Sequence, residues 1–382
     1  MEAECLTSLA SSLKGRAAEL AEETERTGCT SKEIVEGLRK GGFFRGFQTK
    51  RFGGLEVHPA DFFGAIVEMA TACPSTAWIM GIMGIHQFEL ARLPVELQEE
   101  ILGDDPDTLI SSSYSPQGKV TQVSGGYRLS GQWKSSSGVD HASWVVLGGN
   151  LAPAEGDGPP AFRIFYVPVS DLKLYDDWDV MGLRGTGSKS VILDDVFVPE
   201  HRSAARGGFT GGGSASSPTS DSSLYRLPQG LMYLLPGSAP AIGTAKGAFA
   251  EYRRQMGKRR PRLDGSSMMQ DPLVQKRIAF AKYSIETAEL RLMQSINEMM
   301  ATVESGEEIT PEAQARYAWD FMRPADDCLS GVRSIFETMG ASVVYSSNPL
   351  QRYYRDLLTI RQHGTQDTDR GALGVAKAEM GS

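Results

Sequence analysis

The chain has 382 residues, long for a single hydrophobic core and enough for two or three packed sub-domains. With 41% hydrophobic and 23% charged residues its composition is that of an ordinary globular protein, and a formal net charge of −8 argues against nucleic acid as the main partner. No stretch approaches the ~18 continuous apolar residues of a membrane span, and Cys5, Cys29, Cys73 and Cys328 show neither CxxC nor metal-ligand spacing, so neither a membrane nor a metal is expected.

The first residues are acidic, with the first lysine at Lys14 and no basic stretch of the kind that opens a signal peptide. Together with the scattered cysteines this predicts a reducing, cytoplasmic setting. No sequence period of roughly 20–50 residues recurs.

Residues 1–107 read as an N-terminal helical domain. "TSKEIVEGLRKGGFF" places Thr30 three residues before Glu33, a capping-box arrangement, and closes at Gly41-Gly42. "PADFFGAIVEMATAC" carries Pro59 in its first turn, where a missing N–H costs nothing. In "STAWIMGIMGIHQFELARL" the four-residue spacing puts Trp78, Ile82, His86 and Leu90 on one helical face.

Residues 108–205 change texture. "GGYRLSGQWKSSSG", "ASWVVLGG", "FRIFYVPV" and "SVILDDVFVP" are β-rich segments broken by Gly, Pro and Asp, which predicts a middle β domain, barrel or sandwich. Residues 206–226, rich in Gly and Ser, are expected to form a flexible loop. Residues 227–382 return to long amphipathic helices with short connections, a C-terminal four-helix bundle in which Pro324 kinks or divides the third helix. The basic run "GKRRPR" is local, either a solvated turn or a phosphate-binding arginine site. Pattern alone gives an α+β, mainly α, architecture and no chemistry.

Chemistry enters through particular strings. "SGQWKSSSGVDHASWVVLGG", "WDVMGLRGTGSKSVILDDVFVPEHR" and "QRYYRDLLTIRQH" together resemble the acyl-CoA dehydrogenase fold, and more closely its oxygenase branch, the oxygenase components of two-component flavin-dependent monooxygenases. "GGFFRGFQTKRFGGLEVHPADFF", "STAWIMGIMGIHQFELA" and "ISSSYSPQG" look like the 3-hydroxy-9,10-secoandrostatriene-dione hydroxylases and related aromatic hydroxylases. The resemblance runs from about Leu38 to His363. It implies reduced flavin (FADH2 or FMNH2) supplied by a separate NAD(P)H-dependent reductase, in keeping with the lack of an NAD fingerprint in the chain. O2 then forms a flavin C4a-hydroperoxide that hydroxylates an aromatic ring, a phenol first and an indole second. N- or S-oxygenation on the same fold, an acyl-CoA dehydrogenase and a non-catalytic flavin-binding scaffold are the alternatives. The dehydrogenase reading is demoted because its Glu-Gly-Thr turn here reads His363-Gly364-Thr365, without the carboxylate base.

By the same resemblance His363 lies beside the flavin and manages the peroxide; the plain alternative is a histidine resting on a helix C-terminus. His86 and Ser112 are expected to contact a substrate hydroxyl, against a satisfied core histidine and a turn serine. Tyr114 is assigned a backbone contact to flavin. Within Trp133–Gly138, Trp133, Ser135, Ser136 and Ser137 are assigned to cofactor binding, with Ser136 or Ser137 at flavin N5. "GLRGTGS" lacks phosphate-loop spacing and reads as a turn beside the active site. Arg259 and Arg262, with Gly340 and Ser342, are assigned flavin contacts across a subunit interface, completing the site in a homotetramer arranged as a dimer of dimers. Lys119 departs from the family pattern, and His58, His141 and His201 are left as structural or surface residues.

Overall fold

The computed structural model describes residues 6–151, 161–205, 217–258 and 267–381. Arg259, Arg262 and most of the Gly/Ser-rich segment lie outside them.

Six helices open the chain: α1 (Leu6–Glu19), α2 (Ala21–Thr27), α3 (Lys32–Lys40), α4 (Pro59–Ala70), α5 (Pro74–Leu90) and α6 (Val95–Leu102). Pro59 is the first residue of α4, and His58 before it caps the helix by accepting the Ala60 N–H at 3.1 Å. The capping box at Thr30 does not form. Ser31 is the N-cap residue of α3, the Thr30 hydroxyl donates to the Gly185 carbonyl at 3.0 Å, and Glu33 pairs with Arg16. A tertiary acceptor has won over the local one, and it ties α3 to the loop that walls the site.

Eight strands follow: β1 (Ile110–Ser113), β2 (Lys119–Val123), β3 (Gly126–Ser136), β4 (Trp144–Leu151), β5 (Ala161–Pro168), β6 (Lys173–Tyr175), β7 (Lys189–Pro199) and β8 (Ser203–Ala205). They form two four-stranded sheets, β1-β4-β5-β8 and β2-β3-β7-β6, antiparallel except for the β1–β4 pair. Alternate residues face inward between the sheets: Leu129 and Trp133 from β3, Val145 and Leu147 from β4, Phe165 and Val167 from β5. The opposite face of the first sheet, through Val146, Ile164 and Tyr166, packs on Leu90, Leu97 and Ile101. With both faces covered, β4 and β5 are continuous apolar runs. The middle domain is therefore a sandwich rather than a closed barrel.

The C-terminal helices are α7 (Gln229–Met232), α8 (Leu235–Gly257), α9 (Pro272–Glu304), α10 (Pro311–Met322), α11 (Pro324–Phe336), α12 (Pro349–Arg361) and α13 (Thr368–Met380). Helices α8, α9, α11 and α12 pack as a four-helix bundle. Pro324 divides the third predicted helix into α10 and α11, because it cannot supply the N–H that would continue the ladder. The periodicity analysis missed α13, whose N-cap Asp367 accepts the Arg370 N–H at 3.2 Å. It packs on α10. The described part of the Gly/Ser-rich segment is not loose either, since Leu224 and Tyr225 are buried and Ser217 donates to the Ala91 carbonyl.

One hydrophobic core runs from α4 and α5 into α8, α9, α11 and α12, so the N- and C-terminal helices fold around shared contents. Helix α5 lies at its centre. All of its residues except Ile82 are buried, a helix without a solvent face. Gly84 on α5 is required by close approach, as a Cβ there would fall 2.4 Å from the Phe62 ring. No described helix is long and apolar enough to cross a membrane.

The 178–188 loop is held to α12 by a buried clamp. Asp356 accepts the Leu183 N–H at 2.6 Å, and Arg355 donates to the Met181 carbonyl. Leu183 has φ +51°, a left-handed conformation costly for a branched side chain. Burial pushes the Asp356 carboxyl up to about 6. Replacing Asp356 by Ala leaves the Leu183 N–H without its acceptor and is expected to cost about 1–3 kcal/mol. Asp356→Asn, which keeps an acceptor oxygen, should lose clearly less, and urea denaturation of both variants checks this.

Candidate active site

Where the β sandwich meets α5, α8, α10 and the ends of α12 and α13, the fold leaves a cavity of about 1030 Å³. Ligand cavities commonly hold roughly 300–1,000 Å³, so this one has room for a flavin ring system together with an aromatic substrate. Trp78, Ile82 and His86, one turn apart on α5, line it together. The four-residue spacing read from sequence is thus the face turned to the cavity.

From β1, Ser112 and Ser113 line the cavity while the Ser111 side chain turns the other way. Ser111 bonds to Ser136 Oγ at 2.8 Å and to the Ser137 carbonyl at 2.8 Å, and Ser113 donates to the Lys134 carbonyl at 2.6 Å. The end of β3 carries an irregularity in register between Trp133 and Ser136, with Ser135 at φ +64°. That irregularity turns Lys134, Ser135 and Ser137 to the cavity.

Six of the predicted site residues therefore line this one cavity: His86, Ser112, Tyr114, Ser135, Ser137 and His363. Trp133 does not. Its side chain is fully buried in the sandwich core, its indole N–H donated to the Gly148 carbonyl at 2.7 Å. Ser136 is also fully buried, its hydroxyl spent on Ser111. Of the two serines between which the sequence could not choose, Ser137 is the one at the cavity. Gly340 and Ser342 lie exposed beyond α11, away from the cavity wall, with Gly340 at φ +64° just past the helix end. Lys119 lies on exposed β2 and does not touch the cavity. His141 meets Cys29 at 3.6 Å and His201 meets Glu100 at 3.0 Å, both away from this wall.

Ser137 sits in a chain of hydroxyls whose direction is fixed by its end. Thr186 donates to the Leu183 carbonyl at 2.9 Å, so it accepts from Ser188 at 2.6 Å. Ser188 then accepts from Ser137 at 2.7 Å, and Ser137 accepts the Trp78 indole N–H at 3.1 Å. Its proton committed, Ser137 offers the cavity a lone pair. A reduced flavin carries one N–H on its central ring, at N5, and an acceptor suits it.

His363 follows α12 and opens the turn Gly364–Gln366. Its Nδ1 accepts the Thr365 N–H at 3.4 Å and lies 2.8 Å from the Thr365 hydroxyl. Its ring meets Trp78 edge-on, with centroids 5.1 Å apart. His363 is an exposed residue whose ring opens onto the cavity it lines, and desolvation by the protein around the ring lowers its pKa to about 4. At neutral pH the ring is uncharged, and with Nδ1 accepting, its proton lies on Nε2.

The sequence analysis missed what stands behind His86. Its Nδ1 is 3.2 Å from the Tyr114 hydroxyl, which also lies 2.9 Å from the Tyr233 hydroxyl and 2.7 Å from Glu89 Oε1. Tyr233 lines the cavity; Glu89, 2% exposed, does not. Tyr114 thus enters through its side chain. Gly371 and Gly374 of α13, which packs on α10, also line the cavity.

The chain matches the family described as acyl-CoA dehydrogenase, C-terminal domain, over residues 235–367. It is 36% identical over 365 residues to the oxygenase subunit HsaA of a flavin-dependent monooxygenase from Rhodococcus jostii (strain RHA1), covering 95% of each chain. It is 31% identical over 380 residues to the oxygenase component of an FADH2-dependent resorcinol hydroxylase from Rhizobium sp. (strain MTP-10005), covering 94% of this chain and 90% of that one. The crystal structure of the HsaA monooxygenase from M. tuberculosis superposes with a TM-score of 0.92 at 34% identity, over 100% of both chains.

The low pKa of His363 carries a stability signature. In the unfolded chain the ring takes up its proton near the ordinary value of 6.5, in the folded chain only near 4. Between these values the unfolded state binds more protons, so stability falls as pH drops from 6.5 to about 4. His363→Gln, which cannot titrate, should show a shallower fall over that window in denaturation measured at a series of pH values.

Proposed function

The chain belongs to the oxygenase components of two-component flavin-dependent monooxygenases, and we propose that its aromatic substrate is a phenol, hydroxylated beside its hydroxyl group. As in that family, the enzyme uses reduced flavin and O2 to hydroxylate an aromatic substrate, and a separate reductase supplies the reduced flavin. The observation that carries the phenol reading is that His86 and Ser112 line the same cavity as His363 and Ser137. The resorcinol hydroxylase among its relatives acts, by its name, on a phenol.

Bound reduced flavin would supply the electrons that activate O2; one atom of that O2 is transferred to the substrate and the other leaves as water. The residues of this chain do the rest. Ser137 accepts from the flavin edge, and Ser135 and Tyr114 border the same space. Ser112 and His86 receive the phenol hydroxyl, and drawing its proton toward His86 raises electron density at the adjacent ring carbons. His363, neutral and carrying its proton on Nε2, donates where negative charge gathers on oxygen. Apolar walls from Ile82, Leu231, Leu234 and Met322 keep water from competing.

Flavin contacts from Arg259, Arg262, Gly340 and Ser342 belong to a homotetramer in this reading. Exposed Leu273, Phe280, Tyr283 and Leu290 along α9, with Val344 and Tyr345 next to Ser342, support burial of that side against another subunit. Cys29, Cys73 and Cys328 carry free thiols, in keeping with the cytoplasm.

The test supplies the protein with chemically reduced flavin, isotopically labelled O2 and a panel of phenols with their methyl ethers. The phenols are expected to gain one labelled oxygen beside the hydroxyl, and the ethers, which have no proton to give, to remain unchanged. Equal turnover of the ethers would overturn the phenol reading. His363→Ala is expected to keep flavin binding yet lower product formed per flavin oxidised by roughly 10–100-fold, the balance appearing as hydrogen peroxide.

A further inference from the structure

We propose that Glu89, buried behind the cavity wall, is a positioning residue that fixes which nitrogen of His86 carries the proton, making His86 a proton acceptor toward the substrate. The inference rests on the phenol reading above for its use, but not for its geometry.

Glu89 lies three residues after His86 on α5, one turn along the same face. Both its oxygens face donors. Oε1 accepts from Tyr114 at 2.7 Å and from Tyr166 at 3.2 Å, and Oε2 accepts from the Gln229 amide at 2.6 Å. Arg92 is a cationic neighbour. Burial pulls its pKa below the ordinary arginine value, and Tyr233 and Glu89 act against that pull.

A carboxylate accepts and cannot donate, so the single proton of the Tyr114 hydroxyl is committed to Glu89. The Tyr114 oxygen can then only accept from its other neighbours, Tyr233 at 2.9 Å and His86 Nδ1 at 3.2 Å. The Tyr233 hydroxyl also lies 3.5 Å from His86 Nδ1, but with its proton given to Tyr114 at the shorter 2.9 Å it too can only accept, so a neutral His86 ring carries its proton on Nδ1 and its lone pair on Nε2. This is the form able to take a proton from a phenol. It is also the opposite of His363, whose Nδ1 accepts from Thr365. One cavity thus holds one accepting and one donating neutral imidazole, each set by a partner on its Nδ1 side.

Without the carboxylate the order is lost. A Gln at position 89 keeps one acceptor oxygen; turned to the Gln229 amide, it presents its N–H to Tyr114, which is then free to donate to His86 Nδ1, and the ring proton moves to Nε2. His86 then donates to the substrate and no longer accepts from it.

The direct test is nitrogen NMR of the protein with labelled histidine, where the two neutral tautomers give distinct ring shifts and five histidines keep the spectrum readable. His86 is expected as the Nδ1–H tautomer and His363 as Nε2–H, with His86 moving toward Nε2–H in Glu89→Gln and His363 unchanged. Tyr114→Phe, which removes the link and leaves Glu89 in place, should also release His86 from its fixed form. With substrate, Glu89→Gln should lower kcat by roughly 10²-fold or more with little change in KM, and reduce the phenolate absorbance of the bound ligand. An Nε2–H tautomer at His86 in the unmodified protein, or an unchanged tautomer in both Glu89→Gln and Tyr114→Phe, overturns the inference. The NMR needs no substrate, so the positioning claim stands or falls separately from the phenol claim.

Discussion

Burial of α5 governs this structure. A helix covered on all sides brings its polar residues into the interior with it, and each must find partners there or cost several kcal/mol. His86 and Glu89 are among the groups so carried, with Thr76 and Gln87. The partners of His86 and Glu89 come from elements far apart in the chain: Tyr114 after β1, Tyr166 on β5, Gln229 on α7 and Tyr233 after it. The hydrogen bonds that make α5 tolerable inside the protein are the ones that order the chemistry at its surface.

The other side of the cavity obeys the same rule by different means. There the polar groups are small hydroxyls, and the chain from Trp78 through Ser137, Ser188 and Thr186 ends on one backbone carbonyl. Because that carbonyl belongs to Leu183, whose N–H is held by Asp356 of α12, the orientation of a serine facing the cavity depends on a carboxylate in the helical bundle. The sandwich and the bundle are thereby coupled at the site.

Much of the architecture was legible in sequence, because hydrophobic period and proline placement act locally. Pro59 and Pro324 stand at helix starts, the apolar runs of β4 and β5 are strands covered on both faces, and the Trp78–Ile82–His86 spacing marks the cavity face. What sequence could not give depends on tertiary competition. Thr30 had a local cap within reach and took a carbonyl from another segment. Trp133 sits among cavity serines in sequence, but strand alternation points it into the sandwich. Ser136 and Ser137 are identical in sequence and are separated only by which side of the strand is wet. Glu89 was readable three residues after His86, but its meaning lay in Tyr114 and Tyr233, which no spacing connects to it. Helix α13, with glycines at 371, 374 and 381, carries too weak a periodic signal and is stabilised by packing on α10.

That last helix also sets how the cavity can change. A Cβ at Gly371 would press on Met322 and Trp319 at 3.0 Å, so this glycine is held by contact. Gly374, one turn on, has nothing within 4 Å, and its missing side chain is open space in the cavity wall. The length of molecule admitted can thus be trimmed from a single position that supports nothing else. In a lineage of enzymes sharing one oxygen chemistry, such a residue lets substrate range drift by point mutation while the catalytic wall stays under constraint.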